Sequence, residues 1–569
     1  MTLETVVAAA RGDIPADLLL VNGQIINVFS GRITAGHIAV KDGYVVGIGD
    51  YDAKKVTDLA GRYVSPGFID AHVHIESAMV SVAEFSRAVV ARGTTTVIAD
   101  PHEIANVLGC AGIQYMLRSA ADQPMDCLFT LPSCVPATAM ETAGARLKAA
   151  DLEPFFQHPR IVGLGEMMNY PGVVFKDPDV MDKLALARRL GRPMDGHAPG
   201  LSGRLLSAYA ATGISSDHEC TRPDEATEKL EAGICIMVRE GTAARNLDDL
   251  FPVISPDTWP RMMWCTDDRH PHDILSKGHI DAMIRKAVKK GLDPITAIRM
   301  ATLCPATHFG LGDVGAIAPG KKANFVVFSR LDDIRPEMVF FRGHPQAEDG
   351  RLLPHVTRPA EIPIPTSIHL SSSALDFSIP AVSPRIRVIR ALDNQVVTDC
   401  DIMDTAIRAG MAESDVSRDL IKLAVVERYT GHHGIGKGFV TGLGLKHGAI
   451  CSSVAHDSHN IIVAGATDAE MKTAVDQVIR MKGGLCVVSG ETILTALPLP
   501  IAGLMSDQPM EQVEVQMERL LLAAKKLGTP LSDVFMTLSF LALPVIPALK
   551  LTDRGLVDVE KFTVVPLFQ

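Results

Sequence analysis

PGFIDAHVHIES, residues 66–77, is the stretch of this 569-residue chain that decides its fold. A short apolar run ends in His72 and His74, two positions apart. On an extended strand such side chains point to the same face, so both imidazoles can reach one metal ion. Because the chain contains 19 histidines, this pair alone is only weak evidence for a metal site. The sequence around the pair must show whether a metal site is present.

Seven further apolar runs follow, separated by segments with helical spacing such as VSVAEFSRAVVARG. The eight runs begin at Pro66, Thr94, Cys127, Ile161, Arg192, Gly213, Ile234 and Arg261. Alternating strands and crossover helices predict parallel strands. Eight such units in about 240 residues have the size of a TIM barrel.

The segments around these runs have a different texture. Residues 1–65 and 310–362 alternate short apolar runs with Gly, Asn and Asp turns, which is typical of small antiparallel strands. We therefore predict an α/β chain with a (β/α)8 TIM barrel over residues 66–309. The barrel is inserted into a small β-sandwich subdomain built from the two flanking segments. Residues 363–569 mix Gly-rich loops, strands and helices, which predicts a C-terminal α+β domain.

Ionisable residues stand at the ends of several predicted strands. They are His72, His74, Glu166, His197, His218 and Asp267. The carboxyl ends of the strands form the face of a TIM barrel where active sites are built. Scattered solvated histidines have no reason to follow this pattern, so we expect a metal site there.

Composition limits the classes of partner and compartment. The net charge of -11 includes no Lys/Arg-rich run, so we expect no nucleic-acid and no membrane partner. The N-terminus lacks a signal peptide, and the apolar stretch 536–549 is too short to span a bilayer, so we expect a cytoplasmic protein. Ten cysteines without a CxxC pair indicate reduced, buried thiols.

Several motifs together carry a family resemblance. PGFIDAHVHIES, with GEMMNYPGV, DGHAPG, SSDHECT, CTDDRHP and APGKKANFVV, resembles the amidohydrolase superfamily. ADPHEIANVLG, VREGT and VAHDSHN resemble the bacterial-type adenine deaminases within it. Many binuclear relatives bridge their metals with a carboxylated lysine on strand 4. Glu166 stands there instead, which argues against the cyclic-amidase branch.

The resemblance implies a binuclear metal centre and a reaction. One ion would be held by His72, His74 and Asp267 and a second by His197 and His218, with Glu166 bridging both. Nitrogen and oxygen donors suit Mn(2+) or Fe(2+), with Zn(2+) also acceptable. Activated hydroxide would attack C6 of adenine, giving hypoxanthine and ammonia. Adenine is thus the expected small-molecule substrate, and the superfamily implies a homo-oligomer, with a dimer as the simplest case.

Three carboxylates are candidates for handling protons and substrate. Asp267 is expected to accept the proton of the water. Its neighbour Asp268 is a substrate-binding candidate, with a solvated loop residue as the alternative. Glu240 is a candidate proton donor to ring N1, or else an ion-pair partner of Arg239 or Arg245.

Two further groups match the adenine deaminase motifs. His102 is expected to contact substrate or transfer a proton, with a purely structural role as the alternative, and Glu103 is a substrate-binding candidate. His456, Asp457, His459 and Asn460 form a polar cluster in the C-terminal domain. This cluster closes over the barrel mouth, binds an accessory metal, or is a surface loop that caps its own turn.

Other functions are weighed against this one. A cyclic-amide or N-acyl amidohydrolase would use the same ligand positions. The zinc deaminase fold requires a PCxxC segment, which the sequence lacks. A non-catalytic scaffold would be expected to have lost metal ligands, none of which is missing, and metal analysis would distinguish it.

Overall fold

A computed structural model describes residues 2–569, except residues 243, 358–359, 361, 372, 374, 394 and 433. The chain starts with helix α1, Leu3–Arg11, and five strands. The strands are β1 Ala16–Asn27, β2 Arg32–Lys41, β3 Tyr44–Ile48, β4 Ala53–Asp58 and β5 Tyr63–Pro66. They form the first part of a sheet that is completed after the barrel.

The eight runs predicted as strands form two parallel sheets in chain order, one of five strands and one of three, which curve into a barrel. They are β6 Phe68–Val73, β7 Thr94–Ala99, β8 Asp126–Leu131, β9 Ile161–Met167, β10 Met194–Gly196, β11 Ser216–Asp217, β12 Cys235–Arg239 and β13 Met262–Cys265. The Ser215 amide donates to the Met194 carbonyl (2.9 Å), which joins β10 to the start of β11. A parallel bridge between Val73 and Asp267 joins the first strand to the end of the last and closes the ring.

Helices surround the barrel and connect its strands. They are α2 Val82–Val90, α3 His102–Leu108, α4 Cys110–Ser119, α5 Ala149–Leu152, α6 Tyr170–Val174, α7 Pro178–Arg189, α8 Gly203–Ala210, α9 Pro223–Glu231, α10 Leu247–Leu250, α11 Pro271–Ser276, α12 Ile280–Lys289, α13 Pro294–Met300 and α14 Leu303–His308. Helix α7 shows the local cause: Asp177 caps its first amides, Pro178 starts it, and Arg189 faces the negative end of its dipole. Across the described part of the chain, no helix is long and apolar enough to cross a membrane.

Strands that precede the barrel in the sequence and strands that follow it share one nine-stranded sheet. After the barrel come β14 Phe325–Phe328, β15 Met338–Phe341, β16 His344–Glu348 and β17 Arg351–Leu352. Strand β5 pairs in parallel with β1 and antiparallel with β14, where Val64 lies opposite Val327. The two ends of the barrel segment are therefore tied together by this sheet.

In the described part of the C-terminal region there are an eight-stranded sheet, two small sheets and three α-helices. Its strands are β18 Arg385–Ala391, β19 Thr398–Asp404, β20 Ala406–Arg408, β21 Met411–Glu413, β22 Ile421–Val426, β23 Ile435–Thr441, β24 Ala449–Ser452, β25 Ile461–Gly465, β26 Gly484–Ser489, β27 Thr492–Pro498, β28 Leu549–Thr552, β29 Gly555–Asp558 and β30 Thr563–Val565. Its helices are α15 Asp468–Arg480, α16 Met510–Lys526 and α17 Val534–Phe540. The large sheet has the order β19-β18-β23-β22-β25-β24-β26-β27.

The C-terminal region packs directly on the barrel. Ser506 links the two through its backbone: its amide donates to the Met79 carbonyl (2.8 Å), and its carbonyl accepts from the Ser81 amide (3.2 Å). Phe85 of α2 and Met510 of α16 belong to the same buried apolar cluster. Because Met79 and Ser81 follow the end of β6, this contact lies on the side where the strand-end histidines are.

Candidate metal centre at the mouth of the barrel

Six side chains from the barrel converge at the carboxyl ends of its strands. They are His72, His74, Glu166, His197, His218 and Asp267. The Nε2 atoms of His72 and His74 are 3.1 Å apart. Oδ1 of Asp267 lies 3.1 Å from Nε2 of His74 and 3.7 Å from Nε2 of His72. Three donor atoms thus surround one point.

The carboxylate of Glu166 lies between this group and a second one. Its Oε1 atom is 3.1 Å from Nε2 of His74. Its Oε2 atom is 2.5 Å from Nδ1 of His197 and 3.3 Å from Nε2 of His218. The two oxygens therefore face different sets of imidazoles, as a carboxylate bridging two cations would.

The hydrogen bonds of His72 and His74 fit a bound cation. Nδ1 of His72 lies 2.8 Å from Oδ2 of the buried Asp195, and Nδ1 of His74 lies 3.0 Å from the Asp100 carbonyl. Each Nδ1 therefore carries the hydrogen in the neutral ring, which leaves a lone pair on Nε2. Two lone pairs directed at each other across 3.1 Å repel unless a positive charge lies beside them. Nitrogen and oxygen donors alone make up the set, which suits Mn, Fe or Zn.

Local backbone features place the two carboxylates. The Glu166 amide donates to Oδ2 of Asp100 (2.9 Å), and a Cβ on Gly165 would lie 2.2 Å from that oxygen. Only glycine therefore permits this approach. Asp267 has a left-handed backbone (φ 54°), and its amide donates to the His72 carbonyl (3.0 Å). The turn carries its side chain back toward the first strand at a cost in strain.

Arg239 and Glu219 extend the cluster. Nη1 of Arg239 lies 2.7 Å from Oδ2 of Asp267, and the same guanidinium pairs with Glu219. Burial opposes ionisation of Asp267, but Arg239 and His74 outweigh it and hold its pKa well below the usual value. Oε1 of Glu219 is also 3.6 Å from Nε2 of His218. Glu219 was not among the residues predicted from the sequence, although it directly follows a strand-end histidine in SSDHECT.

His102 and Asp268 lie at the edge of the cluster. Nδ1 of His102 is 3.5 Å from Oε1 of Glu166, and its ring meets that of His74 edge to face. The Ser77 hydroxyl donates to Oδ1 of Asp268. Burial and the neighbouring Asp267 raise the pKa of Asp268, which favours its protonated form.

Comparisons with known proteins agree with this geometry. A model of the amidohydrolase family matches residues 63–346, and a model of the adenine deaminase C-terminal domain matches residues 395–563. The adenine deaminase of Desulfatibacillum aliphaticivorans is 53% identical over 566 residues, covering 100% of both chains. That of Methanothrix thermoacetophila is 50% identical over 570 residues, covering 100% of both, and that of Kosmotoga olearia is 47% identical over 574 residues, covering 100% and 99%. The chain belongs to the adenine deaminase family.

Glu240, a candidate from the VREGT motif, does not point to the cluster. Oε1 of Glu240 lies 2.9 Å from Nζ of Lys286 on α12. The side chain is thus engaged in an ion pair with a helix outside the barrel. The alternative ion pairs considered from the sequence, with Arg239 or Arg245, are not formed either: Arg239 pairs with Asp267 and Glu219, and Arg245 with Asp273.

The segment characteristic of adenine deaminases reaches the barrel mouth through two histidines. Nδ1 of His456 lies 3.2 Å from Oε1 of Glu103, and Nε2 of His459 lies 3.4 Å from Oε2 of the same carboxylate. The Ala455 amide donates to Nδ1 of His459 (3.2 Å), so Nε2 of the neutral ring carries the hydrogen. Because a ring nitrogen needs its lone pair to bind a metal, this geometry disfavours an accessory metal at His459. Asp457 lies between the two histidines and is buried.

Hydrogen bonds between a barrel loop and residues near the end of the chain also hold the C-terminal region against the barrel mouth. The Thr142 amide donates to Oδ1 of Asp553 (2.9 Å), and Nδ2 of Asn460 donates to the Thr142 carbonyl (2.8 Å). The Thr552 hydroxyl donates to the Met140 carbonyl (2.8 Å). The C-terminal region of this adenine deaminase family member therefore closes over the mouth, as one of the sequence-based alternatives predicted.

The ion pair between His456 and Glu103 predicts a pH dependence of stability. Burial opposes protonation of His456, but Glu103 outweighs it and raises its pKa from 6.5 to about 9. A group whose pKa is higher in the folded than in the unfolded state stabilises the fold fully at pH values below its unfolded-state pKa. This stabilisation is lost as pH rises through the folded-state pKa. Between pH 6.5 and 9 we therefore expect the free energy of unfolding to fall.

Denaturant unfolding of the wild type and His456→Gln at several pH values checks this expectation. The Gln variant should be less stable at pH 6.5 and show a shallower slope up to pH 9. His447→Gln, at an exposed position, is the control and should keep the wild-type slope. Equal slopes for all three proteins would contradict the ion pair.

Proposed function

We propose that this protein catalyses the hydrolytic deamination of adenine to hypoxanthine and ammonia. The main observation in support is the position of Glu166, whose two oxygens face two separate groups of imidazoles at the mouth of the barrel. Relatives that cover the full length of the chain are named adenine deaminases. The donor set and the relatives thus support the same reaction.

We assign the ligands of the proposed metal centre as follows. His72, His74 and Asp267 would hold one divalent ion, His197 and His218 a second, and Glu166 would contact both. Mn(2+) or Fe(2+) is our first choice, with Zn(2+) as a further candidate. Two such ions supply, when bound, a water of lowered pKa that is reactive at neutral pH.

The protein side chains then divide the work of holding substrate and moving protons. The ion pair with Arg239 keeps Asp267 ionised, so that it can accept a proton. Asp268, oriented by Ser77, is placed to bind the substrate. His102, next to Glu166, is placed to contact the purine or transfer a proton.

Two earlier candidates receive different roles. Both oxygens of Glu103 face histidines of the C-terminal region, so we assign it to positioning the cover instead of binding substrate. Glu240 is paired with Lys286, so we assign it no proton transfer to N1.

We also propose the finer organisation of the chain. The nine-stranded sheet would form a β-sandwich subdomain from residues 1–65 and 310–362, the barrel would span 66–309, and an α+β domain would span 363–569. A homo-oligomer and a cytoplasmic location stay predictions. Size-exclusion chromatography with light scattering would test the first, and cell fractionation the second.

Ammonia release by metal-loaded enzyme tests the proposed function. Enzyme purified in chelator and reloaded with Mn(II) is assayed with adenine, adenosine, dihydrouracil and hydantoin. We expect turnover of adenine alone, lost on chelation and restored by Mn(II). Activity on a cyclic amide with none on adenine would keep the metal centre and overturn the substrate.

A further inference from the structure

A small cavity of about 30 Å³ lies beside the cluster, between the barrel and the C-terminal region. Its polar walls include Glu76, Ser77, Glu103 and His456, and none of the six proposed ligands lines it. Since a single water molecule needs about 10–15 Å³, the cavity has room for the edge of a ring and not for a sugar.

Glu76 lines this cavity and carries a buried carboxyl oxygen without a hydrogen-bond partner in the described part of the chain. It belongs to a short 3-10 helix, Ile75–Ala78, that starts directly after His74, and only 2% of its surface is exposed. Its Oε1 accepts from the Ile104 amide (3.2 Å), which fixes the carboxyl group. Its Oε2 has no hydrogen-bond partner among the described residues. A buried carboxyl oxygen without a partner is costly, which points to a donor supplied by a ligand.

The other polar groups of the cavity are already engaged. Glu103 faces His456 and His459 with its two oxygens, and the Ser77 hydroxyl donates to Asp268. The hydroxyls of two further wall residues donate to backbone carbonyls. These wall residues are Ser452 and Ser539. His270, the remaining titratable wall residue, has its Nδ1 3.6 Å from Oδ2 of Asp533. Among the described wall residues, Oε2 of Glu76 is thus the buried carboxyl oxygen that stays available to a ligand.

We propose that Oε2 of Glu76 accepts the N–H of the five-membered ring of adenine and selects the free base over nucleosides. This inference rests on the proposed function and extends it to specificity. With C6 held at the cluster, the N3 and N9 edge lies on the far side of the purine. N9 carries a hydrogen in adenine and a ribose in adenosine, so only the free base supplies the missing donor.

Three larger side chains in the walls agree with this selection. His270, Met517 and Met536 line the small cavity and also line a larger one of about 420 Å³. These side chains therefore form a partition between the two spaces. A substituent on N9 would meet this partition, whereas a hydrogen would not.

The test compares adenine with 9-methyladenine in three metal-loaded enzymes: wild type, Glu76→Gln and Glu76→Met. The readout is the ratio of kcat/KM values for the two substrates. Because a buried donor left without its partner costs about five- to hundredfold in binding, we expect the wild-type ratio to fall about tenfold in Glu76→Met. Glu76→Gln keeps an acceptor oxygen and should retain most of the ratio. Glu491→Met, in an exposed turn, is the control and should keep all of it.

The ratio separates specificity from structural damage. Loss of the Ile104 contact in Glu76→Met would lower kcat/KM for both substrates equally and leave the ratio unchanged. An unchanged ratio in Glu76→Met, with wild-type metal content, overturns the proposal. If wild-type enzyme releases no ammonia from adenine, the proposed function fails. The same ratio is then measured as dissociation constants by calorimetry in all three enzymes, so the role of Glu76 is decided independently.

Discussion

Replacement of Glu166 by glutamine is expected to lower kcat for adenine by about a thousandfold or more, at least the loss seen when one oxyanion-hole donor is removed. An amide has one acceptor oxygen, whereas both carboxylate oxygens of Glu166 face imidazoles. The variant would also remove the negative charge that lies between the two proposed metal ions. Metal content should therefore fall from two ions per chain to one or fewer, measured by plasma emission spectrometry after dialysis.

Glu560→Gln is the matched control for this experiment, because Glu560 is exposed and lies among the last ten residues of the sequence. It should retain both metal content and kcat. The proposed bridging role would be refuted by a Glu166→Gln enzyme that keeps two ions and wild-type turnover. A loss of activity with unchanged metal content would instead assign Glu166 to the chemistry alone.

Asp267→Asn should have the next largest effect, a fall in kcat of about a hundred- to thousandfold. Asparagine keeps an oxygen near His74 but cannot accept the proton, and it removes the charge that faces Arg239. Arg239 would still be paired with Glu219, so the fold should persist. We expect kcat to fall much more than KM rises, measured in steady-state assays at saturating Mn(II).

Asp332→Asn provides the control, since this aspartate pairs with Arg330 at the surface. It should leave kcat and KM at wild-type values. If Asp267→Asn raised KM while leaving kcat unchanged, Asp267 would be a substrate-binding residue and another group would have to accept the proton.

The barrel strands and the converging residues could be predicted because parallel strands carry a simple local signal. Strand β9, IVGLGEM, is buried along its whole length and therefore reads as an unbroken apolar run. Glu166 interrupts that run near its end, where a charge is tolerated only if something compensates it. The same reasoning applies to His72 and Asp267, and the structure brings all three together.

The groups that orient and cover this cluster carry no such local signal. Asp195 on β10 contacts His72 on β6, a strand it does not pair with, and its role depends on side-chain direction, which spacing does not specify. The pairing of Glu103 with His456 joins segments far apart in the chain. Glu240 ends a strand like the other candidates, yet Lys286 on α12 captures it. These outcomes depend on tertiary packing and not on periodicity.

During protein synthesis, β5 leaves the ribosome long before β14. Until β14 arrives, the edge of β5 that will receive it is unpaired, and such edges recruit strands from other chains. Assembly of the barrel brings Val64 and Val327 together and thereby protects this edge. A substitution that slows barrel folding should therefore promote aggregation of the nascent chain, even where the stability of the mature protein is unchanged.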